Sequence, residues 1–417
     1  MGGFRKAFGP GVLFAAVSIG TSHLVQSTQA GAGWGLSLVP VILFALVMKY
    51  PLYEFGQRYA MATGHTLLEG YRRQGAWTLW LYLLLTLATM FTVLAAVALV
   101  TAGLAEEFTG LRIGYLPWAA VLVGLCAGVL AVGRFPLLDK ATKVIVLLLA
   151  VSTLVAAVFA IPELAGARLF GRVDLTDAKQ VAFIVALIGW MPTGVEVCVW
   201  QSMWALARAR QTGHRPTLRE TLADYRIGYL GTGLVALMFV LLGVAVMFLR
   251  EQKFEDSAVR FSAQLVSLYA SLLGNWSRPL IELAAFTTML STLLTVLDGF
   301  PRALQLLLLR MKGTEETDDD LKRAGSAPEY WLLMALTAAG AFLVLGFLMR
   351  SFKSFVNLAM ILSFVTGPLL GFLAYRAVTA SFVPAEFRPG RALRVWALAG
   401  IFFLLAFLAW FAVVEFS

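Results

Sequence analysis

Residues 9–32 read GPGVLFAAVSIGTSHLVQSTQAGA, an apolar run that polar residues interrupt near its middle. Gly20, Thr21, Ser22 and His23 stand where a helix buried in lipid would carry only apolar side chains. A polar group left unpaired in hydrocarbon costs roughly several kcal/mol, so irregular polar backbone persists at membrane depth only beside a cavity. We therefore predict that this segment forms a broken helix that lines an internal site.

A second interruption of the same kind lies near the centre of the chain. Residues 189–196 read GWMPTGVE between two apolar runs, with Pro192 inside the break and Glu196 at its end. Two interrupted hydrophobic segments in corresponding places indicate the binding site of a secondary transporter. The pair predicts an all-α integral membrane protein organised around these two breaks.

Composition supports a membrane protein and argues against several other classes. The 417 residues are 60% hydrophobic and only 14% charged, with a mean hydropathy of +0.81. Soluble domains carry roughly a quarter charged residues. The net charge, 33 − 24 = +9, fits basic loops on the cytoplasmic side better than binding of nucleic acid. The two cysteines, Cys126 and Cys198, lie in apolar runs, which argues against a disulfide framework or a thiolate cluster.

The apolar segments predict about 11 transmembrane helices, since a span needs about 20 apolar residues. The candidate spans are 10–33, 36–60, 77–104, 115–133, 138–161, 181–206, 226–249, 279–309, 330–350, 353–377 and 393–415. About two thirds of the Lys and Arg residues fall in loops on one side if the N-terminus is cytoplasmic. We therefore expect an inner (plasma) membrane protein with the N-terminus in the cytoplasm and the C-terminus outside. The mixed charges of 312–329 predict a solvated, flexible cytoplasmic loop.

Several short motifs resemble the Nramp divalent-metal transporters, in the order and spacing of that family. They are Gly9-Pro10-Gly11, Gln29-Ala30-Gly31-Ala32, the stretch 58–64, Gly133-Arg134-Phe135 with Asp139, Met191-Pro192, and the stretch 297–300. The resemblance implies a LeuT-type fold of two inverted five-helix repeats, with helices 1 and 6 unwound. It places the first repeat at 1–165, the second at 166–380 and an additional helix at 381–417.

The resemblance also implies a function, although the chain departs from the family at the metal site. The implied activity is secondary active transport of divalent metal ions of the Mn/Fe class by alternating access. The family's first-helix motif Asp-Pro-Gly-Asn falls on Gly20, Thr21, Ser22 and His23, so the carboxylate is missing. The Met of the sixth helix is kept as Met191, whereas the His after Pro192 is replaced by Thr193. The alternative is therefore the same fold with another substrate, such as hydrated Mg²⁺ or a small organic solute.

His23 and Met191 are the candidate metal ligands. An imidazole at mid-membrane could bind a soft divalent ion or substrate, or exchange a proton, and the Met191 sulfur could bind the same ion. The alternative for His23 is a neutral, hydrogen-bonded structural residue, and for Met191 an apolar packing residue.

Glu196, Lys49 and Gln26 are the other candidate polar groups within spans. An intramembrane carboxylate is by default functional or paired; Glu196 could replace the lost anionic ligand or pair with Lys49 or Arg208. Lys49 could stand in for a coupling cation, pair with Glu54 or Glu196, face an anionic substrate group, or extend to the cytoplasmic headgroups. Gln26 could line the cavity beyond the first break.

The predicted substrate site comprises the residues of both breaks with their polar neighbours: Gly20, Thr21, Ser22, His23, Gln26, Met191, Pro192, Thr193 and Glu196. Coupling is assigned to His23, Lys49 and Glu196. No motif of a hydrolase or metalloprotease is present, so no enzymatic activity is expected. The expected partners are the lipid bilayer, a transported ion or solute (Mn, Fe or Mg) and protons; we expect a monomer that binds neither cofactor nor nucleic acid.

Overall fold

The computed structural model describes residues 7–133, 135–349 and 351–416; the side chains of 135–143, 145–146 and 416 are outside the description. Arg134 and the side chain of Asp139 therefore lie outside it. Within the described residues the chain forms sixteen α-helices. They are α1 Pro10–Ser18, α2 Thr28–Trp34, α3 Val39–Thr63, α4 Leu67–Gln74, α5 Ala76–Thr109, α6 Tyr115–Ala131, α7 Phe135–Ala160, α8 Ala178–Gly189, α9 Val197–Thr212, α10 Leu218–Gly243, α11 Ala258–Leu273, α12 Arg278–Met311, α13 Asp318–Arg323, α14 Pro328–Leu348, α15 Phe352–Thr379 and α16 Arg391–Phe416.

All eleven predicted spans coincide with helical segments. Among the described residues, eight helices are long and apolar enough to cross a membrane. The other three predicted spans are α6, with 17 residues, and the two interrupted segments, α1–α2 and α8–α9. Each half of an interrupted helix is shorter than a membrane span. Length and hydropathy alone therefore do not establish that eleven segments cross the membrane.

The first interruption is shorter than its polar sequence predicts. The helix α1 ends at Ser18, and only residues 19 and 20 depart from helix before a π-helical turn, Ser22–Ser27, leads into α2. The hydroxyl of Ser22 donates to the Ser18 carbonyl over 2.7 Å, which replaces a backbone bond lost at the break. Ser22, His23 and Gln26 therefore lie on a wide helical turn, a form that often accompanies functional sites.

Close helix packing holds this broken helix against α10. A Cβ atom at Gly11 would overlap the Asp224 carbonyl, and one at Gly228 would overlap the Gly11 carbonyl. Small residues allow membrane helices to approach until their backbones touch. The approach places the first break beside the middle of α10, where Thr232 lies.

The charged stretch 312–329 is ordered, so the prediction of a flexible loop was wrong. It contains α13, whose N-terminus is capped reciprocally by Thr317 and Asp320. The fully buried guanidinium of Arg310 bonds to Asp320 and, over 3.0 Å, to the Thr314 carbonyl. Burial opposes ionisation of Asp320, but the bonds from Thr317 and Arg310 outweigh it, so the pKa of this carboxyl lies below its ordinary value. The sequence pattern could not show this order because the partner, Arg310, belongs to the preceding span.

Candidate functional site

The second interruption leaves the chain non-helical between Gly189, the last residue of α8, and Val197, the first of α9. The end of a helix exposes carbonyl groups that have no partner within the helix. Here the ammonium of Lys49, from α3, donates to the carbonyls of Ile188 at 3.0 Å and Gly189 at 2.9 Å. It also donates to the Thr193 carbonyl inside the break, at 2.9 Å. Lys49 thus fixes both the end of α8 and the path of the break.

Lys49 is buried, with 1% of its surface exposed. This burial rules out the alternative in which its side chain extends to the headgroups. Pairing with Glu54 was also wrong, because Glu54 accepts two hydrogen bonds from Arg58, at 2.5 and 3.0 Å. Among the described residues, the ammonium of Lys49 donates to three carbonyl oxygens and forms no ion pair with Glu196 either.

The two breaks face each other across a small cavity. The volume of this cavity is about 30 Å³. This is room for one ion or one to two water molecules. Polar residues of the lining come from both breaks and from α12; the walls are completed by valines of α1, α5, α9 and α12. The lining comprises Val17, Thr21, Ser22, Val93, Val97, Trp190, Thr193, Gly194, Glu196, Val197, Trp200, Thr292 and Val296.

Glu196 supplies the carboxylate of this cavity. It is 5% exposed, and its Oε2 atom has no hydrogen-bond partner within the described structure. The non-helical backbone turns it back over Gly194, which its carboxylate contacts. A buried carboxylate oxygen without a partner costs a large part of its hydration energy. The arrangement is therefore suited to a cation that supplies the missing contact.

His23 has both ring nitrogens occupied by the protein. Its Nε2 atom lies 2.9 Å from the Thr232 carbonyl, and its Nδ1 atom lies 2.8 Å from the Ser22 hydroxyl. A carbonyl can only accept a hydrogen bond, so Nε2 carries a proton. His23 and Met191 are both fully buried and neither is among the residues that line the cavity. Their assignment as metal ligands stays a prediction.

The remaining predicted site residues divide into two groups. Thr21, Ser22 and Thr193 line the cavity, and the Ser22 hydroxyl oxygen of the first break lies 3.2 Å from the Pro192 carbonyl oxygen of the second. Gln26 lies outside the lining and donates to the Asn357 side chain of α15 over 2.6 Å. Thr21 and Glu196, from separate halves of the chain, thus meet at one cavity.

Besides the valines and Gly194, three lining residues with a polar side-chain group were missed from the sequence: Trp190, Trp200 and Thr292. The indole N–H groups of both tryptophans have no partner among the described residues. Buried Trp normally finds a partner for this group, so an isolated Trp beside a helix break was the signal that could have identified them. Thr292 carries no such signal, because hydroxyl residues recur along the whole of α12.

Comparison with known proteins places the chain among membrane transporters. A family profile described as "Natural resistance-associated macrophage protein-like", Nramp, matches residues 11–414. An uncharacterized protein from Pasteurella multocida (strain Pm70) is 31% identical over 408 residues, which are 96% of this chain and 90% of that protein.

Solved structures resemble the chain over nearly its whole length. The manganese transporter of Eremococcus coleocola superposes with a TM-score of 0.68 at 12% identity, covering 97% of this chain and 85% of that one. MhsT in complex with L-phenylalanine gives 0.63 at 15% identity, covering 96% and 97%. Mhp1, a nucleobase-cation-symport-1 transporter, gives 0.60 at 16% identity, covering 97% and 92%. These similarities confirm the predicted LeuT-type fold.

Proposed function

Because the chain belongs to the Nramp family of membrane transporters, we propose that it carries a small cation across the membrane by alternating access. The observation that supports this proposal is the Glu196 carboxylate, buried in the cavity between the two breaks with one oxygen unpaired. It occupies the second break, whereas the family's lost carboxylate belonged to the first. The anionic ligand has moved from one half of the site to the other.

The donors in the cavity favour a hard divalent cation, such as Mg²⁺ or Mn²⁺. Besides Glu196 they are the oxygens of Thr21, Ser22, Thr193 and Thr292. Oxygen ligands suit Mg²⁺ and Mn²⁺, whereas sulfur and imidazole suit softer ions. Within the described residues no three His, Cys, Asp or Glu side chains come together. With one carboxylate available, the ion would keep several of its own water ligands, as Mg²⁺ usually does.

Lys49 is the residue that we propose to replace a coupling cation. Its ammonium already occupies three carbonyl oxygens of the kind that would otherwise coordinate a monovalent ion. A charge tethered by four methylene groups cannot leave the site, so transport would need no second ion there. We further propose the two repeats at 1–165 and 166–380, with the N-terminus in the cytoplasm.

A small organic ammonium ion is a second candidate substrate. Trp190 and Trp200 both line the cavity, and aromatic faces attract organic cations in desolvated sites. Glu196 would neutralise the single positive charge of such a substrate. Methylammonium tested as a competitor of Mn²⁺ binding separates the two candidates, because only an organic-cation site would bind it more tightly than the metal.

The test of the proposed cargo is calorimetry of Mg²⁺ and Mn²⁺ binding to the purified protein and to Glu196→Gln. The variant keeps the shape of the side chain but removes the charge. We expect binding to weaken at least about tenfold, since an interaction with a charged partner contributes about 1.5–3 kcal/mol.

The matched control is Glu106→Gln. Glu106 is also buried and also has an unpaired Oε2 atom, but it lies outside the central cavity. We expect this variant to bind both ions as the unmodified protein does. Equal affinity in Glu196→Gln and the unmodified protein would contradict the proposal.

A further inference from the structure

A second cavity lies far from the transport site, where the end of α12 meets α13 and the beginning of α14. Its volume is about 350 Å³, and its walls include Leu308, Leu309, Lys312, Arg323 and Glu329. The walls are held in place by hydrogen bonds from buried and partly buried side chains. Gln305 accepts a hydrogen bond from the Gly325 backbone over 2.9 Å, and Arg302 donates to the Ala324 carbonyl over 2.6 Å. The cavity is therefore preformed.

The charges around this cavity are not neutralised by one another. Asp320 also lines it, but Arg310 and Thr317 bind that carboxylate. Within the described residues, Lys312, Arg323 and Glu329 are exposed side chains without an ion pair. Two positive groups and one negative group thus surround one space.

The cavity is at the level of the membrane surface. Trp331, two residues after Glu329 at the start of α14, is partly exposed, and a Trp at the end of a spanning helix marks the boundary between lipid and water. Leu332 and Leu336, three and seven residues after Glu329, lie on the same helix face and are 62% and 54% exposed. Exposed leucines of a spanning helix face acyl chains. The charged cavity therefore opens at the end of a lipid-facing apolar stripe.

We propose that this cavity binds the headgroup of a phospholipid with a primary ammonium group, such as phosphatidylethanolamine. The phosphate lies between Lys312 and Arg323, and the ammonium reaches Glu329. The acyl chains follow Leu332 and Leu336 along α14. Basic pockets at the ends of spanning helices are suited to lipid phosphates, and the added carboxylate selects a headgroup that also donates hydrogen bonds.

The test is native mass spectrometry of the detergent-purified full chain with added phosphatidylethanolamine, phosphatidylglycerol or phosphatidylcholine. We expect phosphatidylethanolamine to be retained best. Phosphatidylcholine should be retained less, because its methylated ammonium cannot donate a hydrogen bond to Glu329. Removal of Lys312 and Arg323 together by alanine should reduce retention by about fivefold for each basic side chain, from a contribution of ~1 kcal/mol apiece.

Two further variants make the assignment specific. Lys322→Ala is the matched control. Lys322 belongs to the same short helix, α13, as Arg323, but it pairs with Asp319 and lies outside the cavity. It should retain lipid normally. Glu329→Gln should abolish the preference for phosphatidylethanolamine over phosphatidylglycerol while leaving the fold intact, as judged by an unchanged elution volume.

Four results would overturn the proposal. One is equal retention of the three lipids, and another is a double alanine variant that binds lipid as the unmodified chain does. The third is displacement of the lipid by millimolar inorganic phosphate, since a free anion cannot use the leucine stripe. A preference for phosphatidylglycerol in the unmodified chain would likewise contradict the role of Glu329.

Discussion

Thr292 fills the space beside Gly20, where the Nramp pattern has an aspartate. A Cβ atom added to Gly20 would lie 2.7 Å from the Thr292 hydroxyl oxygen and 2.9 Å from its methyl carbon. Such distances are shorter than van der Waals contact, and overpacking of this kind costs about 1–3 kcal/mol. Thr292 therefore leaves no room for a side chain at position 20.

We predict that Gly20→Asp destabilises the protein and that Thr292→Ala partly restores its stability. The single variant combines a steric overlap with a buried charge, whereas the double variant retains only the charge. Thermal unfolding in detergent measures both effects. Added Mn²⁺ should raise the unfolding temperature of the double variant more than that of the unmodified protein, because two carboxylates would then face the cavity.

Gly33→Asp is the control for this prediction. Gly33 belongs to the same broken helix, but no atom lies near the position of a Cβ added there. The unfolding temperature of the Gly33→Asp variant should therefore change little. If Gly20→Asp alone proved as stable as Gly33→Asp, Thr292 would not be what excludes the aspartate.

At the residue scale, sequence reasoning identified Glu196 and the hydroxyl residues of the two breaks, but it missed other neutral groups of the lining. Glu196 was found because an ionisable side chain in an apolar run is rare, and the structure places it in the cavity. Trp190 and Thr292 were missed because their residue types are common in spans. The directions of His23 and Met191 depend on backbone angles within and beside the breaks, which no helical or strand periodicity describes.

At the scale of the element, Lys49 donates hydrogen bonds to carbonyls at the C-terminus of α8 that have no partner within the helix. The negative end of the helix dipole lies at the C-terminus of α8, where a cation is stabilising. The hydroxyl of Tyr53, one turn after Lys49 on α3, also bonds to the Thr193 carbonyl. One face of α3 therefore fixes the second break.

We predict that Lys49→Ala creates a binding site for Na⁺ or K⁺. The carbonyls of Ile188, Gly189 and Thr193 would lose their donor, and a monovalent ion could take its place beside Glu196. The unfolding temperature of the variant should then rise with NaCl or KCl but not with choline chloride at equal ionic strength. The unmodified protein should not distinguish these salts.

Lys353→Ala serves as the comparison. Lys353 lies over the ring of Phe254, 5.5 Å from its centroid, at another part of the molecule. Its removal should produce no ion dependence. Identical salt responses of Lys49→Ala and Lys353→Ala would mean that Lys49 has a structural role only.

The positions of the helices were predictable from the sequence, but the contacts between helices that are distant along the chain were not. Apolar runs gave the positions of all eleven segments, since length and hydropathy determine where helices form in a bilayer. The contact between Lys49 and α8 joins residues about 140 positions apart. Helical periodicity within α3 carries no information about a partner so distant along the chain.

At the scale of the whole molecule, the first helical segment is tied at both ends to different neighbours. Near its beginning, the Asp224 carboxylate of α10 accepts bonds from the backbone N–H of Gly9 at 3.1 Å and Gly11 at 2.6 Å. Near its other end, Gln26 bonds to Asn357 of α15. Along the chain, the lining residues Val17, Thr21 and Ser22 lie between these two ties.

We predict that Asp224→Ala opens the cavity from the side of Gly9, and that Asn357→Ala opens it from the other side. A cysteine at the buried Ser18 reports the opening through its rate of labelling by an impermeant maleimide. The native Cys126 and Cys198 are both buried and should react slowly. Loss of two bonds to a carboxylate should raise the labelling rate at least about tenfold.

The side of labelling distinguishes the two variants. In sealed vesicles of known orientation, each variant should expose the introduced cysteine to one face of the membrane only. Labelling of both variants from the same face would contradict the assignment of the two ties to opposite entrances.

The opposite charges of Lys49 and Glu196 have a consequence for the energy source of transport. An ammonium and a carboxylate sum to zero charge, so the empty site would cross the membrane field as a neutral unit. A bound divalent cation then moves its full charge in each cycle, at about 2.3 kcal/mol per elementary charge per 100 mV. Membrane voltage alone, negative inside, would drive inward accumulation of the ion and would leave the return step insensitive to voltage.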